Sequence, residues 1–382
     1  MDESMVTEYP LYQLSDTPAT AKMLRYPTAG SKSHHVSVKV KNMYDDSDPV
    51  IIQTSGDKEQ YLTNVSWTPD EKYLLIAIAN RAQNHMWLNK YDATSGDFIS
   101  TLFEEKNDRY VEPEHPAVFL NDDPSKFLWW SERDGYNHLY LYSDEGILIK
   151  QVTQGNWIVT DFYGVSEDGK NIFITSTKDS PLERHLYKVS LKSGKMSKLT
   201  NGAGYHSITA NENNTLFMDN FSSTSNPREI RLIDANGSIK EILHKSKNPL
   251  VDYKLGEMEI GKLKGKSGDD LYYRVFKPID FNPNKKYPVV VYLYNGPHLQ
   301  LITNRWLGGA NLWYQYMAQQ GYVVFSIDGR GSADRGFEFE SSIFRNCGEH
   351  EMIDQLTGVN WLKEQTWVDT NRMGIHGWGY GG

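Results

Sequence analysis

The stretch Met373-Gly374-Ile375-His376-Gly377-Trp378-Gly379-Tyr380-Gly381-Gly382 decides the fold. A short strand over Met373 to His376 runs into a turn with glycine at three alternate positions. An abrupt strand-to-helix turn of the G-x-S-x-G kind needs glycine on both flanks of its central residue, because a side chain at either flank would collide with the returning backbone. Gly377 and Gly381 supply those flanks. The centre, where such an elbow holds its nucleophile, is Gly379, which has neither oxygen nor transferable proton. The same residues fit G-x-G-x-x-G through Gly377, Gly379 and Gly382, a phosphate-binding turn. That fingerprint opens its domain and leads into a helix, whereas here several strands come first. The elbow is the stronger reading, and dinucleotide binding is the alternative.

Upstream of the turn, Pro288-Val289-Val290-Val291-Tyr292-Leu293-Tyr294 is apolar on both faces, as the buried middle of a mostly parallel sheet requires. Tyr322 to Ile327 repeats the pattern, and Leu271 to Phe276 reads as a further strand. The spacing of Leu312, Tyr316 and Met317 predicts a helix between strands. Met352, Leu356, Val359 and Leu362 predict a longer one over Glu349 to Lys363, with those four as its apolar face. Strands alternating with helices mark residues 256–382 as an α/β domain, the N-terminal part of an α/β-hydrolase ending at the elbow.

Two loops in this region carry polar residues. Tyr294-Asn295-Gly296-Pro297 follows a buried strand, where sheet-end loops place functional groups, and a phenol there can donate to a developing oxyanion. A plain aromatic at a strand end is the alternative. Asp328-Gly329-Arg330-Gly331-Ser332 reads as a tight turn whose Asp and Arg stabilise the loop.

Residues 61–250 repeat at blade length, on the order of 40 to 50 residues. Each unit has a hairpin, as in Trp67 to Ala77 and Val165 to Ile174, then a strand led by histidine: His85, His138 and His185, 53 and 47 residues apart. Val152-Thr153-Gln154-Gly155 and Leu199-Thr200-Asn201-Gly202, again 47 apart, read as closing strands. Recurring quartets suit a β-propeller better than a sandwich. The fold class is therefore multi-domain, with residues 1–255 forming the C-terminal part of an antiparallel propeller of about four to five blades. Recurrence of the histidines at one blade position argues for a structural role, and His34-His35 lacks the further ligands that a metal site needs.

Of the 382 residues, 39% are hydrophobic, enough for more than one core, and the net charge of −9 is spread without runs, which excludes an electrostatic footprint for nucleic acid. No apolar stretch is long enough to span a bilayer, and Met1 to Val6 has neither the basic start nor the apolar core of a signal peptide. The single cysteine, Cys347, excludes an internal disulfide and is expected to be a small buried thiol.

A propeller leading into a hydrolase domain resembles the prolyl oligopeptidase family of serine peptidases, in particular the bacterial type of its dipeptidyl peptidase IV branch. The resemblance rests on Met1 to Val6, Arg25-Tyr26-Pro27, Gly135-Tyr136-Asn137-His138, Lys286-Tyr287-Pro288, Tyr294 to Pro297, Asp328 to Ser332 and His376-Gly377-Trp378. It implies an oxyanion hole made by Tyr294 and the backbone N–H of Tyr380, a nucleophile position at Gly379, and substrate contacts from Trp378 and Tyr110. It also implies a chain cut at both ends, without the family's Asp, His and amine-binding glutamates. The family reaction releases N-terminal dipeptides with proline or alanine second, through an acyl-enzyme and with no metal or cofactor. The implied partners of full-length relatives are peptide substrates and a second copy in a homodimer; such relatives are exported, and the compartment of this chain stays open. With Gly379 in place of serine, this fragment or degenerate copy is expected to be inactive. A non-catalytic propeller protein that binds peptides or partners is the alternative.

Overall fold

The computed structural model describes residues 1–382, and the repeating segment forms four four-stranded antiparallel sheets. The first comprises Tyr61–Trp67, Tyr73–Ala79, His85–Asp92 and Phe98–Lys106. The second comprises Val118–Phe119, Lys126–Ser131, His138–Ser143 and Leu148–Gln151. The third comprises Val159–Val165, Asn171–Ser176, His185–Ser190 and Met196–Lys198, and the fourth Tyr205–Ala210, Leu216–Ser223, Asn226–Asp234 and Ile239–Lys245. Middle strands are buried and carry the apolar runs, whereas Ile239–Lys245 at an outer edge is exposed throughout. These are the blades of a partial propeller, and no closed barrel is formed.

His138 and His185 each open the third strand of a sheet and are buried. Their Nδ1 atoms meet the hydroxyls of Thr153 and Thr200 at 3.0 and 3.1 Å. The Nε2–H of His138 donates to the Gly155 carbonyl, and that of His185 to the Glu183 carboxylate. The common spacing of histidines and threonines is thus a repeated side-chain bond that satisfies buried polar atoms. The segments read as closing strands need correction: the strands end earlier, at Gln151 and Lys198, because Thr153 and Thr200 have turned inward to the histidines. His85 differs, pairing with Glu104 across its sheet at 2.6 Å.

Two compact units result. One, Met1–Ser131 with Leu139–Gln151, holds the first two sheets and two small hairpins, Glu8–Gln13 with Thr20–Arg25 and Lys39–Val40 with Val50–Ile51. Its core includes Leu75, Met86, Leu88, Phe127 and Trp129. The other, Glu132–His138 with Val152–Gly382, holds the last two blades and a five-stranded mixed sheet.

The strands of that sheet are β1 (Met258–Lys264), β2 (Asp270–Phe276), β3 (Tyr287–Leu293), β4 (Val323–Asp328) and β5 (Val368–Gly377), in the order β1-β2-β4-β3-β5. Neighbours β4, β3 and β5 are parallel and β1 and β2 antiparallel to their partners. Strand β1 falls where the repeat stops; Glu259, Lys262 and Lys264 interrupt its apolar signal, as suits an edge. Helix α1 (Leu312–Gln319) covers one face, with Tyr314 packed on Phe276 and Val324. Helix α2 (Glu349–Glu364) covers the other, where Leu362 joins Val275, Val289, Val291, Phe325 and Ile327. Among the helices, none is long and apolar enough to cross a membrane.

Both helices turn inward a face rotated from the one their apolar spacing marks and keep only part of it: Met317 packs on the α1 core, and Val359 and Leu362 on the α2 core. In α1 the buried residues are Tyr314, Gln315 and Ala318, while Leu312 and Tyr316 are exposed. In α2 they are Glu351, Asp354, Gln355, Gly358 and Leu362, while Met352 is 57% exposed and Leu356 47%. Polar groups are buried there because each has a partner, as the site shows, and because Gly358 allows close approach: a Cβ on it would lie 2.7 Å from the Phe325 ring. Cys347 is exposed, contrary to the buried thiol expected, since it sits in the loop before α2 rather than on a packed face.

Candidate functional site

Parallel strands present their C-terminal ends at one edge, so the loops after β3, β4 and β5 cluster. The turn after β5 is dictated by its glycines. A Cβ on Gly377 would lie 1.8 Å from the Gly381 carbonyl oxygen, and one on Gly381 would lie 2.1 Å from that of Leu293. Only glycine fits either place. Gly379 heads the short 3-10 turn Gly379–Gly381 at φ +57°, a left-handed conformation costly for a side-chain-bearing residue. Its side-chain direction is open except towards Tyr294, whose Cε2 would be 3.2 Å from an added Cβ. The rings of Tyr294 and Tyr380 are 6.4 Å apart, with Gly296 against Tyr380 so closely that a Cβ would meet Cγ at 2.7 Å.

The structure therefore brings Tyr294, Gly379 and Tyr380 together. Trp378 stands beside them with 74% of its surface exposed. Tyr110 lies in the first compact unit, in the loop after Phe98–Lys106.

Sequence reading missed what holds the loops. Asn295, in the left-handed region at φ 52°, donates from Nδ2 to the Arg330 carbonyl at 2.8 Å, and its Oδ1 accepts from Gly329 N–H at 2.6 Å. Arg330 in turn grips Asp354 of α2 with two guanidinium bonds of 2.9 and 3.0 Å and a backbone N–H at 2.8 Å. The Asp354 bond holds the Arg330 guanidinium above its ordinary pKa. Gln355 donates to the Ile327 carbonyl, and Glu351 accepts from the Tyr380 hydroxyl. The signal for these residues is a polar stripe, Glu351, Asp354 and Gln355, at helical spacing on the same side as Leu362.

Asp328 is buried at the end of β4 and accepts N–H bonds from Leu301 and Ile302 at 3.2 and 2.9 Å. Burial pushes its carboxyl up to about 6, against the opposing pull of those bonds and of Arg274. Arg274, itself buried, donates to the carbonyls of Leu301 and Gly308 and so fixes the same loop from beneath. The Asp–Arg turn is a scaffold, as its sequence suggests.

Blades joined to an α/β sheet that ends in a glycine-flanked elbow define a propeller-bearing hydrolase architecture. Residues 1–228 match the dipeptidyl peptidase IV (DPP IV) N-terminal region and residues 310–382 match the prolyl oligopeptidase family. The chain belongs to the dipeptidyl peptidase IV branch of the prolyl oligopeptidase family.

A solved structure from Bacteroides ovatus, described as a dipeptidyl aminopeptidase IV, is 38% identical with a TM-score of 0.93, covering 99% of this chain and 56% of that one. Dipeptidyl peptidase 4 of Porphyromonas gingivalis is 29% identical, with a TM-score of 0.91 and coverage of 99% and 54%. Dipeptidyl peptidase 8 of Mus musculus is 29% identical over 436 residues, 95% of this chain and 48% of the relative. The chain spans about half the length of the relatives it matches.

Proposed function

We propose that this chain carries part of the peptide-binding framework of a serine dipeptidyl peptidase with the chemistry disabled at residue 379. The observation that carries the reading is Gly379 itself: it occupies the centre of an elbow, and the direction a nucleophile would take is open beside Tyr294. In this reading the Tyr294 hydroxyl and the Tyr380 N–H are the two oxyanion donors, and the N–H groups at the start of a helical turn have no intrahelical acceptor. Trp378, exposed beside the turn, contacts substrate. The peptides are those from which full-length relatives release N-terminal dipeptides, Xaa-Pro or Xaa-Ala. The close approach of Gly377 to Gly381 also favours an elbow over an open phosphate cradle.

Peptide cleavage on such a scaffold requires an oxygen that attacks the scissile carbonyl, forms an ester and passes its proton to a base. Glycine offers no atom for the ester. Incubation of the purified chain with Gly-Pro-p-nitroanilide is expected to release no chromophore, and turnover above a heat-killed control would overturn the reading. Gly379→Ser is expected to stay inactive as well, because only Tyr294 lies within contact of an added Cβ and no histidine does.

A further inference from the structure

Away from the elbow, the second compact unit holds a cavity of about 470 Å³ beside the loop after β4, and none of Tyr294, Trp378, Gly379 and Tyr380 lines it. Tyr136, Trp157, Tyr272 and Phe339 give it aromatic walls, and Arg335 is the one cation among its lining residues.

The lining carboxylates are each engaged. Asp334 is paired with Arg184, Asp269 accepts from the Ser267 hydroxyl at 2.6 Å, Asp134 accepts from the Tyr136 N–H at 3.2 Å, and Glu338 has partners of its own. Arg335 is the exception. Its guanidinium lies over the rings of Phe339 and Tyr272, 4.5 and 5.1 Å from their centroids, yet no carboxylate, carbonyl or hydroxyl of the protein accepts from its N–H groups. Donors taken out of water are normally satisfied, so a half-buried cation without an acceptor calls for one from outside the chain. Burial depresses the Arg335 pKa, the mark of a charge held away from water without a direct counter-ion. Stacking uses the faces of a guanidinium and leaves its N–H edge for a planar acceptor with two oxygens, and a carboxylate matches that edge best.

The rest of the lining narrows the ligand further. Asp269 acts on Arg335 from a distance, and its charge opposes any anion that brings more than one. The volume far exceeds that of a simple ion, and the aromatic walls suit a flat apolar body attached to the charge. We propose that this cavity binds an aromatic monocarboxylate, its carboxylate on the N–H edge of Arg335 and its ring among Tyr136, Trp157 and Phe339. The site shares no residue with the elbow and stands whatever the role of residue 379.

Titration calorimetry of the whole chain with hydrocinnamate tests this. Hydrocinnamamide, which keeps the ring without the charge, and acetate, which keeps the charge without the ring, are the controls. Saturable binding of hydrocinnamate is expected, with both controls weaker by about tenfold or more, as loss of a charge-assisted bond or of ring burial dictates. Arg335→Gln is expected to weaken hydrocinnamate by a similar factor, and Arg335→Lys by less, because a charge remains without the planar fork. Asp269→Asn removes a repelling charge from the wall and is expected to tighten binding by about twofold or more. Should Arg335→Gln fail to fold, Asp269→Asn and the three probes carry the test. No saturable heat with hydrocinnamate, equal affinity for either control, or undiminished binding to folded Arg335→Gln would each overturn the proposal, as would an Asp269→Asn chain that binds no tighter than the parent.

Discussion

The hydroxyl of Tyr380 donates a 2.5 Å hydrogen bond to Glu351 Oε1, tying the turn after β5 to the first turn of α2. The other Glu351 oxygen accepts from Gly348 N–H at 2.9 Å, so one carboxylate, only 7% exposed, serves the helix start and the elbow together. Burial, then the neighbouring Cys347 and Glu351, push the Tyr380 phenol well above its ordinary pKa, which keeps it protonated as a donor. Glu351→Ala strands two donors and is expected to cost about 2–3 kcal/mol in urea denaturation, with Glu351→Gln costing less because the amide oxygen still accepts one bond. Equal stability of Glu351→Ala and the parent would show the bond to be incidental.

The three glycines of the elbow separate by what surrounds them. Gly381→Ala places a Cβ against the Leu293 carbonyl at the end of β3, which is paired with β5, and Gly377→Ala places one against the Gly381 carbonyl of the turn itself; each is expected to cost about 2 kcal/mol or more. Gly379→Ser meets only the edge of Tyr294 and incurs only the left-handed backbone penalty, about 1 kcal/mol. Thermal melts of the three variants should rank Gly379→Ser as the mildest; a reversed order would mean that the turn is looser than its contacts indicate.

Asp328 gives a pH dependence with a definite sign. Its folded-state pKa of about 6 lies above the ordinary 3.8, so between these values the native chain holds a proton that the unfolded chain has released. Protonation therefore favours the native state, and the stability this residue contributes falls as pH rises from about 4 to 6, by about 3 kcal/mol at most. Asp328→Asn removes the titration. The parent-minus-variant stability, followed by denaturant unfolding across that window, should decline with pH; a flat difference would contradict the raised pKa.

How far the sequence exposes this molecule depends on the kind of residue. Apolar runs reveal β2, β3 and β4, because strands buried on both faces are mostly apolar and Arg274, Ser326 and Asp328 interrupt the runs singly. The glycine turn was equally plain, since Gly377 and Gly381 answer to local backbone sterics. The inner face of α2 is legible only in Val359 and Leu362, because burial of the rest is decided by distant partners: Asp354 is inside only because Arg330, 24 residues away, meets it there. Likewise Thr153 and Thr200 look like strand residues until His138 and His185 are seen to claim their hydroxyls.

Blade and hydrolase segments of the second unit are joined through Arg184 and Asp334, an ion pair whose arginine is only 4% exposed. Arg184 also donates to the carbonyls of Pro181 and Glu183 and lies over the Tyr205 ring, so its position does not depend on Asp334 alone. Asp334→Ala leaves this buried guanidinium without its counter-ion and is expected to cost about 3–5 kcal/mol. Arg184→Met removes the cation and leaves a carboxylate that water reaches, so its cost should be smaller, about 1–2 kcal/mol. Once the arginine is gone, deleting Asp334 has little left to remove. The double variant is expected to match Arg184→Met alone, a coupling of about 3–5 kcal/mol in a double-mutant cycle read by denaturant unfolding. Additive losses would mean that the two charges act separately and that the blades are held to the sheet by packing instead.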